Sequence, residues 1–208
     1  MNFEKIISGK KVKLFIASVI CGVFMTSVLQ SYANGVVRDI SSGVVRLHVV
    51  ANSDMVHDQA LKLKVRDGII EYLEPILKNA SSKEEAEEIV TKNIEAIEEE
   101  AEQIIKKYGY TYSVTVSSGN FEFPTKSYEN VRLPKGNYDA IKIVIGKGRG
   151  QNWWCVLYPQ LCFSKGNGTL SPESEEKLKG SVTDEEFRII TSKSNVNFKF
   201  KIVEIFSD

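Results

Sequence analysis

The apolar residues of this chain begin with an uninterrupted run from Leu14 to Leu29 that contains no charged side chain. Lysines precede this run, and Ser31 and Ala33 follow it, which puts small residues at the two positions that a signal peptidase recognises. A basic start, an apolar middle and a small-x-Ala end are typical of a secretory signal. We therefore predict an exported protein in which residues 1–33 are either a cleaved signal peptide or an N-terminal membrane anchor.

Strand and helix periods follow a short polar tether at residues 35–42. Residues 44–51 are rich in β-branched side chains and have the length of a strand. Apolar residues then recur at helical spacing from Val56 to Leu73, and we expect Pro75 to end or kink this helix.

A capping box predicts the start of a long second helix. Ser82 and Glu85 have the required spacing, and each side chain is expected to bond the backbone N–H of the other residue. The apolar stripe continues to Tyr108, and Gly109 is suited to end the helix. The pattern therefore predicts one helix from Ser82 to Tyr108.

The second half of the chain is mostly strand-like. Residues 110–117 alternate strictly, which predicts a half-buried strand, and the turn-rich residues 133–137 predict a hairpin. The polar residues 164–184 are expected to form a surface arm, and residues 197–206 form either a last strand or an amphipathic helix. We predict one α+β domain over residues 34–208, with two helices on one face of a mixed or antiparallel sheet.

Charge and composition exclude some classes of function. The 208 residues contain 27 basic and 27 acidic side chains, and 42% of the residues are hydrophobic, which favours a packed core. No concentrated basic face is present, so we do not expect a nucleic-acid partner.

Candidate catalytic groups are few. His48 and His57 are the two histidines, neither lies in a recognisable nucleophile motif, and a structural role is the simpler interpretation for both. The spacings of histidine and cysteine match no zinc pattern, and the glycines at 146, 148 and 150 are typical of a turn rather than a phosphate loop. We predict no enzyme activity, no metal and no cofactor.

The cysteines and tryptophans offer alternatives. Cys155 and Cys162 either form a disulfide, which would require a tight turn at Tyr158-Pro159, or are two buried thiols that do not pair. Proline at the third position of such a turn favours a cis bond. Trp153 and Trp154 are adjacent, so in a strand their side chains point to opposite faces. One would then fill the core and the other anchor a protein partner, unless both are buried.

Two segments of the chain resemble the stage II sporulation protein R family. Residues 45–54 (VRLHVVANSD) and 58–67 (DQALKLKVRD) resemble its first signature, and residues 152–159 (NWWCVLYP) with 161–163 (LCF) resemble its second. Residues 200–204 (FKIVE) are similar to the usual family ending.

This resemblance implies that the protein carries a signal from one cell to another during sporulation. Such a protein is exported from the forespore into the space between the two sporulation membranes, either secreted or anchored there. It activates a membrane-embedded aspartic protease of the mother cell, which then cleaves pro-sigma E. We predict that the contact surface for the protease comprises Arg46, His48, Asn52, Asp54, Gln59, Lys62, Arg66 and Trp153. The alternatives from other classes are an exported cell-envelope hydrolase and an envelope binding module.

Overall fold

A computed structural model describes residues 9–128, 131–161 and 172–191 of the chain. These residues form six helices and six strands. In chain order they are α1 (Gly9–Ser42), β1 (Val45–Val50), α2 (Val56–Leu77), α3 (Lys83–Lys92), α4 (Ile94–Lys107), β2 (Val114–Phe123), β3 (Lys126–Tyr128), β4 (Val131–Leu133), β5 (Gly136–Ile145), β6 (Asn152–Tyr158), α5 (Pro172–Ser181) and α6 (Asp184–Thr191).

The main sheet has four strands in the order β2-β5-β1-β6. β1 is parallel to β5 and antiparallel to β6, and β2 is antiparallel to β5. The sheet is therefore mixed, which confirms the predicted α+β class. β3 and β4 form a separate two-stranded sheet. All six residues of β1 are buried, because this strand is central and both of its faces are covered.

The first core lies between the sheet and helices α2, α3 and α4. Val45, Leu47 and Val49 of β1 point into it and are at most 2% exposed. The helical stripe that the sequence predicted supplies the other side of the core, at Leu61, Val65, Ile69, Leu73, Val90, Ile97, Ala101 and Ile104. Periodicity therefore located this side of the core, except at Tyr108, the predicted end of the stripe, which is 46% exposed.

A second core covers the opposite face of the sheet. It packs the last part of α1, the β3–β4 pair, α5 and α6 against Val44, Tyr138, Ala140 and Val156. The predicted tether is therefore wrong, because residues 35–42 are helical and Ile40 is 1% exposed. Val36 and Ile40 are four residues apart, so one helical face carries both into this core.

The predicted polar arm is also partly wrong. Residues 172–181 and 184–191 are helices, and their Leu178 and Ile190 are buried in the second core. Half of the residues in each of these short helices are charged, so the few apolar residues that pack gave no clear helical stripe in the sequence. Residues 164–171 and 197–206, for which an arm and a last strand or helix were predicted, lie outside the described residues.

Helix boundaries differ from the prediction at two places. The long second helix is divided at Asn93, whose side-chain amide donates to the Ile89 carbonyl oxygen at 2.7 Å. At its start, the backbone N–H of Glu85 donates to Ser82 Oγ as expected, but the Glu85 carboxylate accepts from Ser81 instead of Ser82. α2 continues through Pro75 and ends at Leu77.

Strand pairing differs from the predicted hairpin at residues 133–137. β4 pairs with β3 and β5 pairs with β2, so the strands on either side of this turn belong to different sheets. Val131 and Leu133 of β4 are buried in the second core, and this packing turns β4 away from the main sheet. The strand predicted at residues 110–117 begins later, at Val114.

Candidate functional site

A hydrogen-bonded polar region lies where β1 and β5 end at the same edge of the sheet. Parallel strands bring their carboxyl ends together, and here the β1–α2 turn (residues 51–55) meets the glycine loop (residues 146–150). α2 begins at this edge, and β6 starts beside it. In open α/β sheets, ligands bind outside the carboxyl ends of the strands.

Asp58 organises the β1–α2 turn from inside α2. The residue is 2% exposed, and its Oδ2 accepts from Asn52 Nδ2 at 2.7 Å and from Ser53 Oγ at 2.6 Å. Burial raises the pKa of Asp58, but hydrogen bonds from Ser53, Asn52 and Tyr112 outweigh burial and hold the pKa below its usual value. The carboxylate therefore stays ionised and acts as a hydrogen-bond acceptor.

The glycine loop is bonded to this turn rather than open for an anion. Asn52 accepts from the backbone N–H of Lys147 through its side chain and from that of Arg149 through its carbonyl oxygen, at 2.9 and 3.2 Å. Gly146 has a φ of +56°, and a Cβ on Gly150 would collide with the Ser53 carbonyl oxygen. The interpretation as a turn is thus correct, and the loop crosses over the end of β1 to reach β6.

Lys62 and Arg66 extend the region along α2 toward β6. Lys62 is 5% exposed, and its ammonium donates to Gln59 Oε1 at 2.7 Å and to the Gln151 carbonyl oxygen at 3.0 Å. Burial, and secondarily the nearby Arg66 charge, lower the pKa of Lys62. The Arg66 guanidinium lies 4.9 Å from the centre of the Trp153 ring, a distance suited to a cation–π contact.

Arg46 lies on the opposite face of β1, in the second core. It is fully buried, and its guanidinium lies 4.1 Å from the Phe123 ring centre and 4.8 Å from that of Tyr138. Nη2 donates to the Tyr128 hydroxyl at 2.6 Å, whereas Nη1 has no hydrogen-bond partner among the described residues. Burial lowers the pKa of Arg46 and raises that of Tyr138 to about 12.

His48 is buried on the same face as Arg46. Its ring stacks on Trp154 at 3.8 Å between centres, and Nε2 lies 2.9 Å from Asn152 Oδ1. Burial lowers the pKa of His48 to about 4, so the imidazole is neutral near pH 7. The structural role expected for this histidine agrees with these contacts. Asn152 engages Nε2 and Trp154 stacks on the ring, while Nδ1 is buried and has no hydrogen-bond partner among the described residues.

The predicted contact surface therefore divides into two sets. Six members lie around the β1–α2 turn and the adjoining side of α2: Asn52, Asp54, Gln59, Lys62, Arg66 and Trp153. Arg46 and His48 do not join them, because they are enclosed in the second core. Contact of the six with a partner stays a prediction. Sequence reasoning missed Asp58, although an acidic residue in the first turn of a helix, after an Asn-Ser-Asp stop, was a usable signal.

The tryptophans and the cysteine pair can be placed in part. Trp153 packs against the first core and Trp154 against the second, both half-buried, so the predicted opposite orientation is confirmed. The Tyr158-Pro159 bond is cis, as expected for the predicted turn. Cys155 is 3% exposed and disulfide-bonded, while Cys162 lies outside the described residues, so the pairing itself stays a prediction.

The charged side chains at the centre of this region are held by hydrogen bonds within the protein. Asp58 and Lys62 are both engaged by neighbouring donors or acceptors. Within the described ranges there is no group of three or more His, Cys, Asp or Glu side chains that could hold a metal ion. His57 is half-exposed, and its Nε2 lies 3.4 Å from Asp58 Oδ1. The hydrogen-bonded side chains of Asn52, Asp54, Gln59 and Lys62, together with Arg66, form a polar rim beside Trp153, which we call the Trp153 rim.

At the other end of the molecule, α1 is long and apolar enough to cross a membrane by length and composition. A signal sequence near the N-terminus has the same properties. Leu14, Phe15, Phe24 and Leu29 in its apolar part are 59–70% exposed. The helix therefore fits either a signal or an anchor.

Comparison with known proteins identifies the family. The model of the stage II sporulation protein R family matches residues 41–167. Stage II sporulation protein R of Bacillus subtilis (strain 168) is 39% identical over 139 residues, which cover 66% of this chain and 62% of that relative. No solved structure matches the chain. The family match spans β1, the β1–α2 turn, the glycine loop and β6, and the chain belongs to the stage II sporulation protein R family.

Proposed function

We propose that this protein is an exported, non-catalytic signal of endospore formation. It acts in the space between the forespore and the mother cell, and it activates a membrane-embedded aspartic protease that matures pro-sigma E. The observation that carries this proposal is family membership across residues 41–167, directly after an apolar helix suited to export. The protease contact and the cleavage of pro-sigma E come from what the family resemblance implies.

The rim around Trp153 is the surface that we assign to the protease. Here the Arg66 guanidinium lies over the Trp153 ring, and Lys62 is held by Gln59 and by the Gln151 carbonyl oxygen. Half-buried tryptophan and arginine side chains are the residue types that most often dominate the energetics of protein interfaces. A rim already fixed by hydrogen bonds loses little side-chain entropy when a partner binds.

The test is a reconstitution in a non-sporulating host. The protease and pro-sigma E are co-produced with and without this protein, and cleavage is followed by immunoblot. We expect cleavage only when the exported protein is present, and none with a variant that lacks residues 1–33 and stays in the cytoplasm. If no cleavage occurs although all partners are correctly inserted, the signalling function is contradicted. An exported cell-envelope hydrolase or an envelope binding module would then be the better interpretation.

Variants then test the rim within the same assay. Arg66→Glu and Trp153→Ala should reduce cleavage strongly, because both remove the cation–π pair at the centre of the rim. Lys107→Glu is the matched charge reversal at an exposed site on α4 and should leave cleavage unchanged. Equal amounts of exported protein are confirmed by immunoblot. If Lys107→Glu is as damaging as Arg66→Glu, the rim is not the contact surface.

A further inference from the structure

One edge of the main sheet is open to another strand. β2 is the outermost strand on its side, and it pairs with β5 over ten residues without a bulge. An edge strand presents a row of N–H and C=O groups to solvent, which is a template for pairing with a further strand. Soluble proteins usually block such edges with lysine, proline, bulges or very short strands.

The register between β2 and β5 determines which backbone N–H and C=O groups of β2 point toward β5 and which point away from the sheet. Gly146 N donates to the Ser113 carbonyl oxygen, so the odd-numbered residues of β2 bond to β5. The even-numbered residues therefore face outward, and the N–H of Val116 is accordingly bonded by the Glu98 carboxylate at 2.9 Å. The Glu98 side chain of α4 therefore occupies the edge at Val116.

The second half of the edge has no comparable cover. Among the described residues, no hydrogen bond uses the outward N–H groups of Ser118, Asn120 or Glu122. Residues 114–123 contain no lysine, arginine or proline, and the carboxylate of Glu122 is paired with Lys135 at 2.8 Å. Between Ser118 and Glu122 the strand itself carries no lysine, proline or bulge, and its one charged side chain, Glu122, is engaged by Lys135.

We propose that this edge pairs with the same edge of a second copy of the chain. In antiparallel pairing centred on Asn120, Asn120 faces its own copy and Ser118 faces Glu122. This register uses all the outward groups of residues 118–122 and forms about six main-chain hydrogen bonds. The result is one continuous eight-stranded sheet that spans two molecules.

The side chains suit this register. Gly119 falls opposite Phe121 of the second copy, and an aromatic side chain across from a glycine is a recognised way to stabilise a strand pair. Phe121 is half-buried, and its Cζ lies 3.6 Å from where a Cβ on Gly119 would stand, so the ring already leans over the glycine. Glu122 faces the neutral Ser118, so no like charges meet.

A single position tests the pairing in the full-length chain in detergent. Asn120→Pro removes the central outward N–H, and proline is tolerated on an edge strand whose N–H faces solvent. Asn120→Ala is the matched control, because it keeps that N–H and loses only the side-chain bond to Asp139. Light scattering after size exclusion should show a dimer for the native chain and for Asn120→Ala, and a monomer for Asn120→Pro.

Crosslinking supplies a second measurement that does not depend on the proline variant folding. In a Cys21→Ser background, Asn120→Cys should form an intermolecular disulfide on mild oxidation, because facing residues in this register have Cα atoms about 5.5 Å apart. Thr115→Cys, exposed on the same strand but outside the pair, should not crosslink.

Several results would overturn the proposal. They are a monomer at every concentration, a dimer that persists in Asn120→Pro, or equal crosslinking through Thr115→Cys. A monomeric chain whose Asn120→Pro variant no longer supports cleavage of pro-sigma E would instead assign the edge to a strand of the protease. Dimerisation and protease activation are measured separately, so failure of one leaves the other standing.

Discussion

A charged side chain in an apolar core must be compensated, and Arg46 shows how this protein does so. No carboxylate among the described residues pairs with it, and its surroundings are the rings of Phe123 and Tyr138, the Tyr128 hydroxyl and a backbone carbonyl. Aromatic faces attract a guanidinium, and arginine is more weakly hydrated than lysine, so its burial is less costly. Arg46 therefore serves the interior of the domain rather than its surface.

Substitution of Arg46 should separate packing from charge. Arg46→Ala should lower the free energy of unfolding by about 3 kcal/mol, because it removes the contacts with three aromatic rings. Arg46→Met keeps most of that volume and removes a buried charge, so its loss should be within about 1 kcal/mol. Urea unfolding measures both, and equal losses for the two variants would contradict the packing role.

His48 predicts how stability changes with pH. Its pKa is about 4 in the folded protein and 6.5 when unperturbed, so the unfolded chain binds the proton more readily. The stabilisation is complete above pH 6.5 and is lost as the pH falls toward 4, by about 3 kcal/mol at most. Unfolding measured across this range should be less pH-dependent in His48→Gln, and an unchanged slope would exclude His48 as the cause.

At the scale of elements, the glycine loop is shaped by contact rather than by ligand chemistry. Gly150 must lack a side chain because the Ser53 backbone lies where a Cβ would stand. The loop therefore depends on the β1–α2 turn, which in turn depends on Asp58. The β1–α2 turn and the glycine loop, which are almost a hundred residues apart in the sequence, are therefore packed and hydrogen-bonded to each other beside the Trp153 rim.

Glycine substitutions test this dependence. Gly150→Ala should destabilise the domain by about 2 kcal/mol or more, because either the loop or the turn must move. Gly180→Ala is the control, since nothing lies within 4 Å of its Cβ position and it lies in helix α5. That change should stabilise by about 0.5–1 kcal/mol. Thermal unfolding measures the stability of both variants. If Gly150→Ala leaves the stability unchanged, the close contact with Ser53 does not constrain the loop.

At the scale of the whole molecule, α1 joins an exposed apolar segment to the folded domain. Its apolar first part is exposed, whereas Ile40 near its end is part of the second core. The helix is continuous through Ala33, the predicted cleavage position, and its 34 residues extend about 51 Å. Whether or not the signal is removed, residues after Ala33 belong to the folded domain.

Truncation separates the exported segment from the domain. A chain that begins at Asn34 should fold with the stability of the domain, because it keeps Val36 and Ile40 in the second core. A chain that begins at Gly43 should lose about 3 kcal/mol or more, since a buried isoleucine and its neighbours are removed. Denaturant unfolding measures the difference, and equal stability of the two chains would contradict the placement of α1.

Local pattern in the sequence was enough for the features that depend on neighbouring residues. The apolar run from Leu14 to Leu29, the first strand, the stripe of α2 and the motifs that identify the family all have a signal within about 20 residues. The first core follows from these periods, because a helix or strand with one apolar face must bury that face. Five of the six residues of the candidate site, all but Trp153, lie together because the β1–α2 turn and α2 are consecutive. Trp153 is brought to them by the pairing of β6 with β1.

Only the tertiary structure decided what covers the other face of β1. Its even-numbered residues Arg46 and His48 alternate with apolar ones, a pattern that normally indicates a solvated face. The cover comes from α1, β3–β4, α5 and α6, which are distant in sequence and carry few apolar residues each. Because burial of a strand face depends on such remote segments, periodicity in β1 itself could not show that these two polar side chains are enclosed.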